Sequence, residues 1–276
     1  MQAAVKSALS PRLLKVLSEE VYRHTGVVIN ESKQDLLVAR LGRRVRALGL
    51  PGFKAYVDLL VAGKLEKEEF RVFIDQVTTH KTSFFRTVSV WNYFRDEILR
   101  EAGESGRPLR IWSAACSDGD EVYSIALECD RQRSVTPSLA WRVLATDVSA
   151  KRVEVAREGR YEATALEQVS ARRKDLPWDR CFQSVGNGEV QATKSIRSQI
   201  EFRPHNLFEP IARSFDVIFL RNVVMYFSDE DKARVFDAAA RALNPGGYLI
   251  TGESESPASQ TDLFEYRQPC IYQKPS

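Results

Sequence analysis

Apolar residues in the first quarter of the chain recur at the spacing of amphipathic helices. Leu37, Leu41 and Val45, for example, share one face when each residue turns by about 100°. Ser10 and Pro11 form a helix start signal, in which a capping hydroxyl precedes a proline in the first turn. Strand-like alternation is not seen here, so we expect a small all-α bundle. The predicted helices run from about 11 to 25, 32 to 48, 53 to 61 and 66 to 77.

From about residue 108 onwards, short apolar strands alternate with helices. This alternation is typical of a parallel, doubly wound α/β sheet. A polar stretch near 165–200, with a turn signal at Val185–Gly188, predicts a small antiparallel insertion. The predicted strands are 109–113, 141–146, 215–220 and 248–251, and the predicted helices are 118–130, 150–158 and 228–243.

Composition narrows the class of protein without identifying it. The chain of 276 residues has 40 lysines and arginines against 37 aspartates and glutamates, so its net charge of +3 does not favour nucleic-acid binding. Four cysteines without CxxC spacing and three scattered histidines do not form a zinc pattern. No apolar run approaches the roughly 20 residues of a membrane helix, and there is no signal-peptide block. We therefore expect a cytoplasmic protein without a metal or membrane insertion.

Two features at the predicted carboxyl ends of strands favour a nucleoside ligand. The segment Ala114–Gly119 follows the first strand and has small residues that let a ligand approach the backbone. It holds a single glycine, so it is neither a dinucleotide nor a P-loop motif. Asp147 ends the second strand, where an acid can bind a ribose diol. Together they suit a nucleoside such as S-adenosylmethionine (SAM), although an ordinary turn and a solvated acid are the alternatives.

Three further clusters are candidates for chemistry. The polar and aromatic segment Thr78–Arg86 joins the two halves of the chain, Arg221–Phe227 follows a buried strand, and Gly252–Glu255 follows the next strand. Segments held against a rigid scaffold often carry function. The alternatives are a packed linker, a solvated helix start and a polar turn.

These clusters resemble the CheR-type chemotaxis receptor methyltransferases. Thr78–Arg86 reads TTHKTSFFR where the family has TTNxTxFFR. The resemblance implies a SAM-dependent protein-glutamate O-methyltransferase that esterifies receptor glutamates in sensory adaptation and releases S-adenosylhomocysteine, with no metal. The matching segments, in chain order, are Thr78–Arg86, Arg110–Ala126, Ala145–Asp147, Asn206–Leu207, Phe215–Phe227 and Gly252–Glu255.

The resemblance also implies a domain organisation and a partner. We expect a helical receptor-recognition domain at 1–78, a linker at 79–95 that contributes to the cofactor site, and a Rossmann-like methyltransferase domain at 96–276 with the β insertion near 165–200. The partner would be the helical cytoplasmic domain of a methyl-accepting chemotaxis receptor. We expect a monomer that does not bind nucleic acid.

The resemblance implies roles for individual residues, carried over by position. Arg86 and Tyr226 would lie nearest the transferred methyl group. Arginines of the second predicted helix would contact the acidic receptor, the alternative being a solvated helix face. The receptor-contacting residues would be Arg40, Arg43, Arg44 and Arg46. The cofactor-binding residues would be His80, Thr82, Arg86, Glu121, Asp147, Asn206, Leu207, Arg221 and Asn222.

Departures from the family pattern leave other functions open. His80 replaces an asparagine, and Glu253 replaces a histidine. The turn at Val185–Gly188 is about three residues shorter than in members that dock a receptor's C-terminal pentapeptide, which predicts an enzyme independent of that tether. The alternatives are a methyltransferase acting on RNA or another protein, and a non-catalytic SAM-binding signalling module.

Overall fold

The computed structural model describes residues 9–29, 31–257 and 262–276. The chain forms two compact units. Unit 1 holds the described residues up to Thr79 together with Tyr226–Asp231, and unit 2 holds His80–Met225 and Lys232–Ser276.

Unit 1 contains the helical bundle that the apolar spacing predicted. The Ser10 side chain accepts a hydrogen bond from the Leu13 N–H, and Pro11 occupies the first turn, as the start signal indicated. Gly26 ends the first helix in the left-handed conformation, with φ of 71°. The bundle is therefore specified by local signals and by one apolar stripe per helix. Its helices are α1 (Pro11–Thr25), α2 (Glu31–Ala47), α3 (Phe53–Val61) and α4 (Lys67–Val77).

Two of the four arginines expected on one receptor-facing surface of α2 have partners inside unit 1. Arg44 pairs with the buried carboxylate of Glu69 at 2.5 Å, and the Tyr56 hydroxyl donates to the same carboxylate at 3.0 Å. Arg40 donates to the backbone carbonyls of Gln76 and Thr78 at the end of α4. Both side chains are half-buried and have partners in unit 1, and their contact with a receptor stays a prediction. Helical spacing places them on the flank of the stripe, where α4 supplies acceptors.

Arg43 and Arg46 are exposed, as the sequence predicted. They lie on α2 away from its buried residues Leu41 and Val45. Among the four arginines of α2, these two are the exposed ones.

Unit 2 is built around a mostly parallel sheet. Among the described residues, its strand order is β6-β2-β1-β7-β8-β10-β9, in which the first five strands are parallel. A second, antiparallel sheet has the order β3-β5-β4. The strands are β1 (Leu109–Ala114), β2 (Trp141–Asp147), β3 (Arg160–Glu162), β4 (Phe182–Gly186), β5 (Glu189–Ala192), β6 (Ile200–Pro204), β7 (Phe215–Leu220), β8 (Leu243–Thr251), β9 (Glu265–Gln268) and β10 (Ile271–Gln273).

Helices cover the sheet and connect its strands. Trp91, which stacks on Phe219 of β7, anchors the segment before β1 in the core. No helix in the described ranges is long and apolar enough to cross a membrane. The helices after α4 are α5 (Val88–Tyr93), a π-helix (Phe94–Ile98), α6 (Leu99–Ser105), α7 (Asp120–Val135), α8 (Ala150–Glu158), α9 (Ala163–Ser170), α10 (Trp178–Cys181), α11 (Lys194–Arg197), a 3-10 turn (Val224–Tyr226) and α12 (Asp229–Ala242).

The fold class predicted from the sequence is confirmed, with differences at element boundaries. The small sheet begins at Arg160, before the predicted 165, because β3 pairs with β5. Strand β8 begins at Leu243 rather than 248, since Leu243 pairs with Phe215 ahead of an irregularity in the register. The antiparallel β9 and β10 were not predicted, because strands of three or four residues have weak patterns.

The Arg44–Glu69 pair gives a stability prediction. Replacing Arg44 by Ala leaves the buried Glu69 carboxylate with the Tyr56 hydroxyl alone, so we expect the free energy of unfolding of unit 1 to fall by about 2 kcal/mol. Urea unfolding of the full chain, followed by circular dichroism, measures this. Arg43→Ala on the same helix is the control, with an expected change near zero. Equal stability of the two variants would contradict the assignment.

Candidate active site

The loops at the carboxyl edge of the sheet in unit 2 contain most of the predicted site residues. Strands β1, β2, β7 and β8 run parallel, so the loops that follow them emerge at the same edge. Asp147 is the last residue of β2, and Arg221 comes directly after β7. The topology therefore brings together residues that lie far apart in the sequence.

The loop after β1 has an unusual backbone. Ala115, Ser117 and Gly119 all adopt left-handed conformations, with φ of 71°, 48° and 94°. For residues other than glycine this conformation costs roughly 1–2 kcal/mol each. Such strain persists only where the surroundings enforce it, and it concentrates at functional sites. The backbone conformation of this loop by itself thus makes it a candidate ligand-binding segment.

Hydrogen bonds from β2 and the linker hold this loop. The Cys116 N–H donates to the carbonyl of Thr146 at 2.8 Å, and the Ser117 N–H donates to the Asp147 carboxylate at 2.9 Å. The Ser117 hydroxyl donates to the carbonyl of His80 at 3.0 Å. His80 and Asp147, both predicted cofactor residues, are therefore joined through Ser117.

Asp147 is a buried carboxylate held by backbone N–H groups. Its second oxygen accepts from the Ser149 N–H at 2.9 Å. Burial raises the pKa of Asp147 above its ordinary value, while the two backbone hydrogen bonds and the proximity of His80 oppose the rise. A carboxylate can accept about four hydrogen bonds, so this group retains capacity for ligand hydroxyls. The residues present are consistent with a ribose diol at this position.

Arg221 and Glu121 form a buried ion pair at the same edge. Arg221 Nη1 lies 3.1 Å from Glu121 Oε2, and the Ser113 hydroxyl donates to Glu121 Oε1 at 2.7 Å. Burial raises the pKa of Glu121, and the Arg221 charge is the largest opposing influence. The two predicted cofactor residues thus contact each other directly.

The other nitrogens of Arg221 bind backbone carbonyls of neighbouring segments. Nη2 donates to the carbonyl of Arg86 at 2.9 Å, and Nε donates to the carbonyl of Thr251 at 3.4 Å. The Trp91 indole also donates to the Arg86 carbonyl. The backbone of Arg86 is therefore fixed, whereas its side chain is exposed.

Aromatic side chains anchor the linker that carries Thr82 and Arg86. Phe85 is buried, and its N–H donates to the Ser124 hydroxyl on α7 at 3.0 Å. Phe84 packs edge-on against Tyr161. Thr82 lies half-buried in this anchored segment.

Asn206 and Leu207 follow β6 and are half-buried. The preceding residue, His205, donates its N–H to the carbonyl of Asp147 at 2.9 Å. The Asn206 side chain accepts from the Phe208 N–H at 3.1 Å. These contacts fix the start of the segment beside the end of β2.

Tyr226 belongs to unit 1, where its carbonyl accepts from the Val28 N–H at 2.9 Å. Its predicted position near the transferred methyl group stays a prediction. Within the described ranges, no group of three or more histidine, cysteine, aspartate and glutamate side chains is arranged to hold a metal.

Glu255 organises the loops after β7 and β8, a role that was not predicted from the sequence. Its buried carboxylate accepts hydrogen bonds from the backbone N–H groups of Asn222, Val223, Met225 and Gly252, at 2.5 to 3.2 Å. Asn222 is thereby held in a left-handed conformation, with φ of 59°. An acid in the short segment that follows a parallel strand was the signal that could have identified it.

Gly252 is required by the same arrangement. A Cβ atom at this position would lie 2.5 Å from both Asn222 Nδ2 and Glu255 Oε2, well inside contact distance. A side chain at residue 252 would therefore displace the Asn222 side chain or the Glu255 carboxylate from its present position.

Comparison with known proteins gives matches over nearly the whole chain. A family model described as CheR methyltransferase, SAM binding domain, matches residues 80–271, and one described as CheR methyltransferase, all-alpha domain, matches residues 12–78. A chemotaxis protein methyltransferase from Vibrio parahaemolyticus is 37% identical over 248 residues, which cover 87% of each chain. One from Escherichia coli is 30% identical over 275 residues, covering 99% of this chain and 94% of the relative.

The hydrogen bonds of Glu255 give a second prediction. In Glu255→Gln an amide N–H₂ group faces backbone N–H groups that need acceptors, so we expect the free energy of unfolding of unit 2 to fall by about 2 kcal/mol. Asp216→Asn is the matched control, because Asp216 accepts from the Arg110 N–H and the Asn244 side chain at the amino end of β7. We expect Asp216→Asn to lower the free energy of unfolding, measured with urea, by less than half as much as Glu255→Gln. Losses of the same size in both variants would argue against a special role for Glu255.

Proposed function

The chain belongs to the CheR methyltransferase family, and on this premise we propose that it methylates glutamate side chains of methyl-accepting chemotaxis receptors. The observation that carries the proposal is the carboxyl edge of the parallel sheet. There, a strained small-residue loop lies between the buried carboxylate of Asp147 and the Arg221–Glu121 pair. A buried acid that can bind a ribose diol, beside a small-residue loop that lacks the phosphate-binding glycine pattern, supports SAM as the ligand.

We assign the cofactor contacts from the charge of each side chain and from the number of hydrogen bonds that it can still accept. Asp147 would accept the ribose hydroxyls, because it has acceptor capacity left after its two backbone hydrogen bonds. Glu121 would face the ammonium group of the methionine portion. The remaining contacts would come from His80, Thr82, Asn206, Leu207, Arg221 and Asn222.

The chemistry needs neither a general base nor a metal. A glutamate carboxylate, with a pKa of about 4.3, is already ionised at pH 7. When SAM is bound, its sulfonium supplies an electrophilic methyl group. A glutamate oxygen would form the new bond to the methyl carbon while the carbon–sulfur bond breaks. The electron pair of the carbon–sulfur bond would stay on sulfur. The products are a methyl ester and S-adenosylhomocysteine.

The protein's contribution is to align and partly desolvate the carboxylate. Alignment of reacting groups contributes roughly 7–11 kcal/mol in favourable cases. The exposed guanidinium of Arg86 would orient the carboxylate, and the hydroxyl of Tyr226 would donate one hydrogen bond to it. Removing water from a carboxylate is costly, which is why such donors are needed.

Receptor recognition would involve the charged surface of α2. Arg43 and Arg46 are its exposed arginines and would contact the acidic receptor helices. Arg40 and Arg44 would add to the positive potential while keeping their partners in unit 1.

The β4–β5 connection supports independence from a receptor pentapeptide. It is a tight turn at Asn187 and Gly188, both with positive φ, as expected of a two-residue hairpin. Such a turn offers little surface for docking a peptide. We further propose that the enzyme acts as a cytoplasmic monomer without a nucleic-acid partner.

The proposal predicts methyl transfer to receptors in an ester linkage. With radiolabelled SAM, the purified full chain should label receptor-containing membranes, and mild base should release the label as methanol. Membranes without receptors are the control. Receptors lacking their last five residues should be labelled at the same rate. Base-stable label would contradict glutamate esterification, and loss of labelling on truncation would contradict independence from the pentapeptide.

A further inference from the structure

Tyr161 of β3, in the small antiparallel sheet of unit 2, contacts the loop after β1 (115–119), here termed the cofactor loop. We propose that Tyr161 is a positioning residue, which holds the loop after β1 in its binding conformation and thereby makes SAM affinity depend on the small sheet. This inference rests on the proposed function, because it concerns the same cofactor site.

The hydroxyl of Tyr161 contacts the end of the cofactor loop. It donates to the carbonyl of Asp118 at 3.0 Å. A Cβ atom added to Gly119 would lie 2.9 Å from this hydroxyl and 3.1 Å from the Cβ of Ala156 on α8. The last residues of the loop are thus held closely between β3 and α8.

The ring of Tyr161 also contacts the linker. It packs edge-on against Phe84 with the ring centroids 4.9 Å apart. Phe84 lies in the segment between Thr82 and Arg86, both predicted to contact the cofactor. One side chain therefore touches two segments that face the proposed ligand.

The small sheet fixes the position of this ring. Tyr161 pairs with Val190 of β5 in the antiparallel ladder, and its ring packs against Phe182 of β4. Burial raises the pKa of the Tyr161 phenol well above its ordinary value, so the group remains a hydrogen-bond donor near neutral pH. The contact with the loop thus depends on strand pairing within the small sheet.

The contacts that hold the cofactor loop matter for binding, because the backbone of this loop is strained. Ala115 and Ser117 adopt left-handed conformations that an unsupported segment would leave. When part of the support is removed, the ligand must restore the conformation, and apparent affinity falls in proportion to the population of the competent state. Other contacts of the loop remain, among them the ion pair of Asp118 with Arg152 at 3.0 Å. Loss of the Tyr161 hydroxyl should therefore weaken binding without unfolding the unit.

The chain offers a closely matched control in Tyr123. Its hydroxyl also donates to a backbone carbonyl, that of Ala156 on α8, at 2.9 Å. Its ring lies in the same aromatic cluster, 5.8 Å from the ring of Tyr161. Tyr123→Phe thus removes a comparable buried hydrogen bond to the α8 residue that also lies beside Gly119, while the hydrogen bond from Tyr161 to the cofactor loop stays in place.

The test compares Tyr161→Phe and Tyr123→Phe in the full chain. Calorimetric titration with S-adenosylhomocysteine should give a dissociation constant about tenfold higher for Tyr161→Phe, and a value within twofold of wild type for Tyr123→Phe. Both variants should lower the melting temperature to a similar extent. In methyl transfer, Tyr161→Phe should raise KM for SAM about tenfold and leave kcat within twofold.

Two results would overturn the positioning role of Tyr161, and a third would contradict the proposed function on which that role rests. Unchanged affinity in Tyr161→Phe would overturn the positioning role. An equal loss of affinity in both variants would also overturn it, because it would show a general effect of destabilisation. Failure of the wild-type chain to bind S-adenosylhomocysteine would instead contradict the proposed function.

Discussion

The buried ion pair between Arg221 and Glu121 is the interaction on which the arrangement of the carboxyl edge depends. Arg221 follows β7 and binds Glu121 on α7, the carbonyl of Arg86 in the linker and the carbonyl of Thr251 at the end of β8. Breaking such a pair leaves a buried charge uncompensated, which costs roughly 3–5 kcal/mol. The pair therefore fixes the segments that form the proposed cofactor site.

Two other buried acids, Asp147 and Glu255, are held by backbone N–H groups and in turn hold strained backbone. Asp147 fixes the loop after β1 through Ser117, and Glu255 fixes the turn at Asn222. In each case a residue other than glycine adopts a left-handed conformation beside the carboxylate. A methyltransferase that needs no general base can use its acids in this way, for positioning and for binding ligand hydroxyl or ammonium groups.

Local patterns were sufficient to predict the two-part fold and part of the site. The capped start of α1, the alternation of strands and helices, and the position of Asp147 at the end of β2 depend on neighbouring residues. Contacts between residues distant in sequence could not be predicted from local patterns. Arg44 faces Glu69, and Glu255 faces the turn at Asn222, only because tertiary packing brings these segments together.

The central claim, that one buried ion pair organises the carboxyl edge, is tested most directly by a double-mutant cycle. Urea unfolding of wild type, Arg221→Gln, Glu121→Gln and the double variant gives their coupling free energy. The account predicts coupling of about 2 kcal/mol, so that the double variant loses about 2 kcal/mol less than the sum of the two single losses. Additive losses, with coupling near zero, would contradict it.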